Sequence, residues 1–555
     1  MRSMQRGLLC AGVAAITAAA AGTALAQAGN EWSQYGADAS NTRFSSLNQI
    51  NTGNVKNLKV LWAHSMGTLE SQESTPVVVD GTMYVTSSTG PRYVFALDAK
   101  TGARKWTYQP EMPADYMSTV CCGLDNRGVA VANGKVFYGR LDAKLEALDA
   151  KTGKRLWTVT VADYKRGHAI TSAPLIVKDL VITGIAGGEY GIRGFVTAYK
   201  QSTGEQVWKT YTIPGPGEPG HESWKGDSWK TGGGSTWGVG SYDAGRNTVY
   251  WSTSNAGPWG AQTRGTDSSD YGPYSNQWTA SQLAFDADTG AIKWGYQYTP
   301  HDAWDYDGIN EGVLTDLDIG GKKVPALMHA DRNGFFYVLN RETGKVVSAE
   351  PFVTVNWATH VDLESGRPVE AANNEKRPQL GKWARNVCPN LIGGKNWSPM
   401  SYSKADRVRV SARVQHVHGH RQPRRGVLAR QVLSRLRVQP RHAGRHGLAP
   451  GRVHGLGSGR EEAGLEHRGA QHVGRRCHDH GGRAGVLRQP GWRAARGECQ
   501  DGRGAVAVPH GNGHHAEPHD LHHRRQAVRR HRGRPAQGTA FLLRQDRPED
   551  DGREP

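Results

Sequence analysis

Residues 27–404 predict an all-β fold of the propeller type, on three observations: a repeat, a tight turn within it, and an aromatic that follows the turn. The segments Ala96–Trp106 (ALDAKTGARKW), Ala147–Trp157 (ALDAKTGKRLW) and Ala198–Trp208 (AYKQSTGEQVW) recur every 51 residues. Ala284–Trp294 (AFDADTGAIKW) and Val338–Val347 (VLNRETGKVV) continue the series across insertions. Each unit reads as an alternating strand, a turn of the form Asp-x-x-Thr-Gly whose Gly takes a positive φ, and a second strand whose Trp packs on a neighbour. Short strands at regular spacing with an aromatic per repeat are the pattern of propeller blades. Blades bury their faces only against one another, so a propeller without its last blades is left open at two of them.

The chain starts differently. Arg2 and Arg6 precede an apolar run from Leu8 to Ala21, and Ala24-Leu25-Ala26 is a small-x-small cleavage site. Residues 1–26 are therefore expected to be a signal peptide, and the mature protein periplasmic or secreted. The run is shorter than the roughly 20 residues of a membrane span, so no integral span is expected.

A net charge of +18 over 555 residues ordinarily suggests nucleic acid as a partner. Here the excess lies after residue 404, and an exported protein does not meet nucleic acid, so none is expected. Residues 405–555 contain no Tyr, Lys, Ile or Met, and hold 17 of the 23 histidines. An Arg/His/Gly-rich segment with so few apolar residues cannot build a core. Two readings account for it: a basic tail, or the product of a frameshift. Back-translated and read one base later, Glu498–Val508 (ECQDGRGAVAV) can give NAKTGEELWQF, which is the upstream repeat. Gly511–Arg532 and Ala405–His420 yield propeller-like strings in the same frame, which favours a base lost near codon 404.

Export makes the cysteines informative, because thiols in an oxidising compartment pair. Cys10 leaves with the signal segment, Cys121 and Cys122 are adjacent, and Cys388 has no evident partner as the sequence is written. No C-x-x-C-H haem attachment motif occurs, so an attached haem domain is not expected.

A propeller alone leaves function open, since one fold serves many chemistries. The strings VCCGLDNRG, TSAPLIVKDLVITGIAGGEYGIRG, GGGSTWG, STSNAGPW, TPHDAWDYDG, DRNG and GGKNW decide it, because over residues 30–404 the chain resembles the PQQ-dependent methanol/ethanol dehydrogenases. The resemblance implies an eight-bladed propeller, truncated here, and an exported quinoprotein that oxidises primary alcohols to aldehydes by hydride transfer to pyrroloquinoline quinone. It also implies a soluble c-type cytochrome as electron acceptor.

The same resemblance assigns residues. Cys121 and Cys122 are similar to a vicinal disulfide that lies on one face of the quinone, with Trp237 on the other. Glu73, Arg127, Thr171, Gly187, Gly188, Ser235, Asn396 and Trp397 take the positions that surround the cofactor, whose carboxylates and carbonyls call for cations and donors. Glu189 and Asn255 resemble the oxygen ligands of a hard metal ion that polarises the quinone. Asp305 resembles the catalytic base and also a ligand, and Arg332, 27 residues on, the group that stabilises charge on the reduced carbonyls. Asp307 adds a carboxylate that the calcium-type members lack, and an extra negative ligand favours a trivalent lanthanide, with calcium second. Two rival readings remain: a non-catalytic propeller scaffold, which does not need this combination of residues, and an inactive product of a damaged gene.

Overall fold

The computed structural model describes residues 31–403 apart from 70–71, 88–92, 373–374 and 381–383, together with the strand backbones at 410–411, 505–506 and 539–544. The signal-peptide expectation and nearly all of the 405–555 segment lie outside the described residues. Among those described, no helix is long and apolar enough to cross a membrane.

Five antiparallel four-stranded sheets account for most of the chain, each taking its strands in sequence order. After β1 (Lys59–Ser65), the first blade is β2 (Val77–Val79), β3 (Thr82–Thr86), β4 (Val94–Asp98) and β5 (Arg104–Tyr108). The second is β6 (Ala130–Ala132), β7 (Lys135–Gly139), β8 (Lys144–Asp149) and β9 (Arg155–Thr160). The third is β10 (Leu175–Val177), β11 (Leu180–Gly184), β12 (Phe195–Lys200) and β13 (Gln206–Tyr211). The fourth is β14 (Ser241–Asp243), β15 (Thr248–Ser252), β16 (Ser281–Asp286) and β17 (Ile292–Gln297). The fifth is β18 (Val313–Ile319), β19 (Lys322–Ala330), β20 (Phe335–Asn340) and β21 (Val346–Pro351). Beyond it the described residues form only two-stranded pairings, such as β22 (Ala358–Val361) with β23 (Pro368–Glu370).

The repeat motif is the turn from the third to the fourth strand of each blade. Asp149 Oδ1 accepts from the Thr152 N–H and hydroxyl, and the Gly153 N–H donates to the Asp149 carbonyl. In the third blade Lys200 stands where the others have Asp or Asn, and the turn persists on backbone bonds, from the Gly204 N–H to the Lys200 carbonyl and from the Lys200 N–H to the Glu205 carbonyl, with the Lys200 ammonium on Glu205 Oε2 at 2.8 Å.

That turn also joins the blades. Trp106 of the first blade donates its indole N–H to the Ala150 carbonyl of the second at 3.0 Å. Trp157, Trp208 and Trp294 repeat the contact to Gln201, Ala287 and Arg341 at 3.1, 3.0 and 3.2 Å. Gly153 has φ 71°, and a Cβ there would lie 2.6 Å from the Trp106 ring, so both the turn and the indole above it demand glycine. Trp62 on β1 bonds the Ala99 carbonyl in the same manner, which gives β1 the part of a fourth strand facing the first blade.

The cores accordingly lie between blades. Val77, Tyr84 and Ala96 of the first meet Val136, Tyr138 and Leu148 of the second, and Tyr250 and Ala284 of the fourth meet Leu327 and Phe335 of the fifth. Exposed apolar side chains concentrate at the two ends of the series, at Leu47, Val60 and Leu61 and again at Leu363, Val369 and Leu391.

Candidate active site

Antiparallel alternation sorts the loops of a blade to two ends. Turns between strands one and two and between three and four share one end, and those between two and three, with the connections between blades, share the other. Every site residue expected from the sequence falls in the second set or just beyond it. Glu73 precedes the first blade, Cys121, Cys122 and Arg127 lie between β5 and β6, Thr171 between β9 and β10, and Ser235 and Trp237 between β13 and β14. Asp305 and Asp307 lie between β17 and β18, while Gly187–Glu189, Asn255 and Arg332 occupy the loops between second and third strands. Asn396 and Trp397 follow the fifth blade.

These loops converge. Arg127 Nη2 sits 2.5 Å from Glu73 Oε2, its Nη1 donates to the Thr171 carbonyl at 3.4 Å, and its guanidinium lies 4.6 Å from the centre of the Trp237 ring and 5.7 Å from that of Trp397. The Thr171 hydroxyl donates to the Trp237 carbonyl at 3.4 Å. Burial pushes the Glu73 carboxyl up to about 7, against the pull of Arg127. Ser235 and Ser254 share a hydrogen bond of 2.7 Å beneath the Gly187–Gly188 turn. Gly187 has φ 119° and passes so close to the Gly167 carbonyl that no Cβ fits.

Cys121 and Cys122 form the expected vicinal disulfide, and their sulfurs lie within 4.8 Å of the Glu189 carboxylate. The Asn255 N–H donates to Asp307 Oδ1 at 2.7 Å. Arg332 reaches Asp307 Oδ2 at 3.2 Å, Asp305 Oδ2 at 3.7 Å and Asn396 Oδ1 at 3.4 Å. Burial, with Asp307, Asp302 and Glu189 adding to it, pushes the Asp305 carboxyl well above the usual carboxylate range despite Arg332. Glu189 keeps a solvent-exposed face, and partial desolvation by the surrounding loops, with Asp307 adding to it, raises its carboxyl too.

Two carboxylates on one guanidinium, with the Glu189 carboxylate in the same cluster of loops, make a donor set with negative charge in excess, which suits a hard cation. The Nε groups of Arg127 and Arg332 are buried without a hydrogen-bond partner in the protein, as donors awaiting an anionic ligand would be. The residues present thus fit both a carboxylate-bearing cofactor and an ion.

Sequence reading missed some of the support. The Asp302 carboxylate accepts from the Trp304 and Tyr306 N–H groups at 2.9 and 3.0 Å and folds the loop around Asp305, which has φ 66°. Its spacing, Asp-x-x-Asp-x-Asp, was the available signal. Lys395 and Glu311 form a buried ion pair of 3.0 Å beside Asn396, and no local pattern links residues 84 positions apart. Cys388 is a free thiol among the described residues, as the sequence implied.

Residues 32–355 match the β-propeller domain of the PQQ family described as glucose/ethanol/alcohol dehydrogenase. A lanthanide-dependent methanol dehydrogenase of Methylacidiphilum fumariolicum is 45% identical over 394 residues, covering 67% of this chain and 63% of that one. The quinoprotein alcohol dehydrogenase PedH of Pseudomonas putida is 42% identical, covering 65% and 62%. A europium-containing methanol dehydrogenase structure superposes with a TM-score of 0.64 at 44% identity, over 68% of this chain and 67% of that one. The chain thus spans somewhat under two thirds of the length of these curated relatives. Blade by blade and loop by loop, the chain belongs to the PQQ β-propeller family of alcohol dehydrogenases.

Proposed function

We propose that this propeller is the catalytic part of an exported quinoprotein dehydrogenase that oxidises a small primary alcohol to its aldehyde. The observation that carries the reading is the facing of Asp305 and Asp307 on Arg332, in a buried loop beside Asn255. When bound, pyrroloquinoline quinone supplies the hydride acceptor and the ion the positive charge that polarises it. Asp305 takes the hydroxyl proton of the alcohol, and its burial places that carboxylate where water does not compete. Arg332 holds Asp305 in place through its carbonyl as well as its carboxylate and leaves Nε free to donate. Arg127, held by Glu73, supplies a second cation against the Trp237 ring, and Glu189, Asn255, Asp305 and Asp307 would hold the ion.

The count of carboxylates favours a lanthanide, with calcium second, by Coulomb attraction. Two named relatives depend on lanthanides or contain one, which supports the same choice. Periplasmic localisation, resting on the leader-like residues 1–26, and a soluble cytochrome c as acceptor belong to the same proposal.

A second reading is favoured by the composition of residues 405–555, which hold no Tyr, Lys, Ile or Met: the chain as written is the inactive product of a frameshifted gene. One experiment tests both. Resequencing across codons 400–410 comes first, followed by reconstitution of the written and base-restored chains with the quinone and either lanthanum or calcium. Retained quinone absorbance and dye-linked ethanol oxidation in the restored chain alone support both readings together. Activity in neither removes the enzymatic proposal.

A further inference from the structure

The ligand candidate Asn255 sits on a loop of the fourth blade and Asp305–Asp307 on the connection from that blade to the fifth, and the two segments touch directly where the Asn255 N–H donates to Asp307 Oδ1. Arg264 adds a second tie between them, behind that contact. Its side chain is fully buried, and its N–H groups go to carbonyl oxygens: Nε to Pro258 at 2.9 Å, Nη2 to Trp259 at 3.4 Å and to the Asp302 carbonyl, and Nη1 to Asn276 Oδ1 at 2.6 Å. Pro258 lies three residues after Asn255, and Asp302 three before Asp305. Asn276 Oδ1 also meets His301 Nδ1 at 2.7 Å, and Asn276 Nδ2 returns to the Arg264 carbonyl at 3.0 Å, so the tie closes on itself. From Asp302 the rigidity passes on, since its carboxylate holds the N–H groups on either side of Asp305.

A guanidinium is suited to this task because its donors are fixed in one plane and can serve several carbonyls at once, which a lysine ammonium on a flexible stem cannot. We infer that Arg264 is a positioning residue that sets the separation of the Asn255 loop from the Asp305–Asp307 loop, and thereby the ionic radius the site prefers. This rests on the metal-binding part of the proposed function and names what tunes it. Ion selectivity at oxygen sites follows cavity size and rigidity, so a rigid bridge between two ligand loops gives a sharp radius preference and a loose one gives a shallow preference.

The test uses the base-restored full chain and metal alone, without quinone. Terbium binding is followed by its luminescence sensitised through nearby tryptophans, and lanthanum and lutetium are measured by competition. Arg264→Lys is expected to lower terbium affinity about 10- to 100-fold, in the range found when outer-shell partners are removed, and to bring the affinities for the three ions together. Asn276→Gly deletes the shared oxygen while keeping a residue at ease with the φ of 57°, and is expected to act in the same direction to a smaller extent. Near-ultraviolet circular dichroism confirms folding, and if Arg264→Lys does not fold, Asn276→Gly decides. An equal loss for all three ions, or no change, overturns the inference. If the unaltered chain binds none of them, the metal-binding proposal itself fails.

Discussion

Glu73 Oε2 and Arg127 Nη2 meet at 2.5 Å, joining the segment before the first blade to the connection before the second. Both side chains are largely shielded from water, and burial outweighs the guanidinium, lifting the Glu73 carboxyl from 4.5 to about 7. A carboxyl raised by folding stabilises the fold fully only below its unfolded value, and that stability is lost as pH rises through the folded value. The unliganded chain is therefore expected to lose stability between about pH 4.5 and 7 from this group. Urea midpoints for Glu73→Gln should show a flatter dependence over that window than the unaltered chain. An unchanged slope would remove Glu73 as its source.

Trp208 is 6% exposed, stacks on Phe285 of the next blade and bonds the Ala287 carbonyl. Trp208→Ala is expected to cost about 3–5 kcal/mol, the range for a buried large aromatic. Chemical denaturation followed by tryptophan fluorescence measures it, and a loss below 1 kcal/mol would show that the blades are joined mainly by other contacts.

Asp305→Asn keeps a residue type that tolerates the φ of 66° and removes the proton acceptor. In the base-restored chain turnover is expected to fall about 10²- to 10⁴-fold, the contribution typical of a positioned general base, with quinone absorbance retained. Turnover within a factor of a few of the unaltered enzyme would assign the base elsewhere.

Asp307→Ala removes one of the two carboxylates that Arg332 faces. Titration calorimetry is expected to show a larger loss of affinity for lanthanum than for calcium, because the Coulomb term scales with ionic charge. Equal losses for the two ions would place Asp307 outside the ligand set.

The propeller could be read from sequence because its repeat encodes contacts that recur: the Asp149 to Thr152 turn, and an indole on the glycine of the next repeat. The pocket residues were legible through short strings whose side-chain types match a known chemistry. Arg264 and the Lys395–Glu311 pair were not, because each acts on backbone or partners brought near only by the fold. The part of β1 was hidden for a related reason, since Trp62 is preceded by no Asp-x-x-Thr-Gly turn and shows its place only when set against Ala99.

The third-to-fourth-strand turns that carry the tryptophan clasps and the loops that carry the chemistry emerge at opposite ends of each sheet. Scaffold and reactivity can therefore drift, or be engineered, as separate inheritances. A chimaera that takes its 187–189, 255–264 and 302–307 loops from one relative and its strands and turns from another leaves every indole-to-glycine seam intact. What such exchanges must carry together is not one loop but pairs of them, since Arg264 and Asp302 travel on different segments and function as a unit.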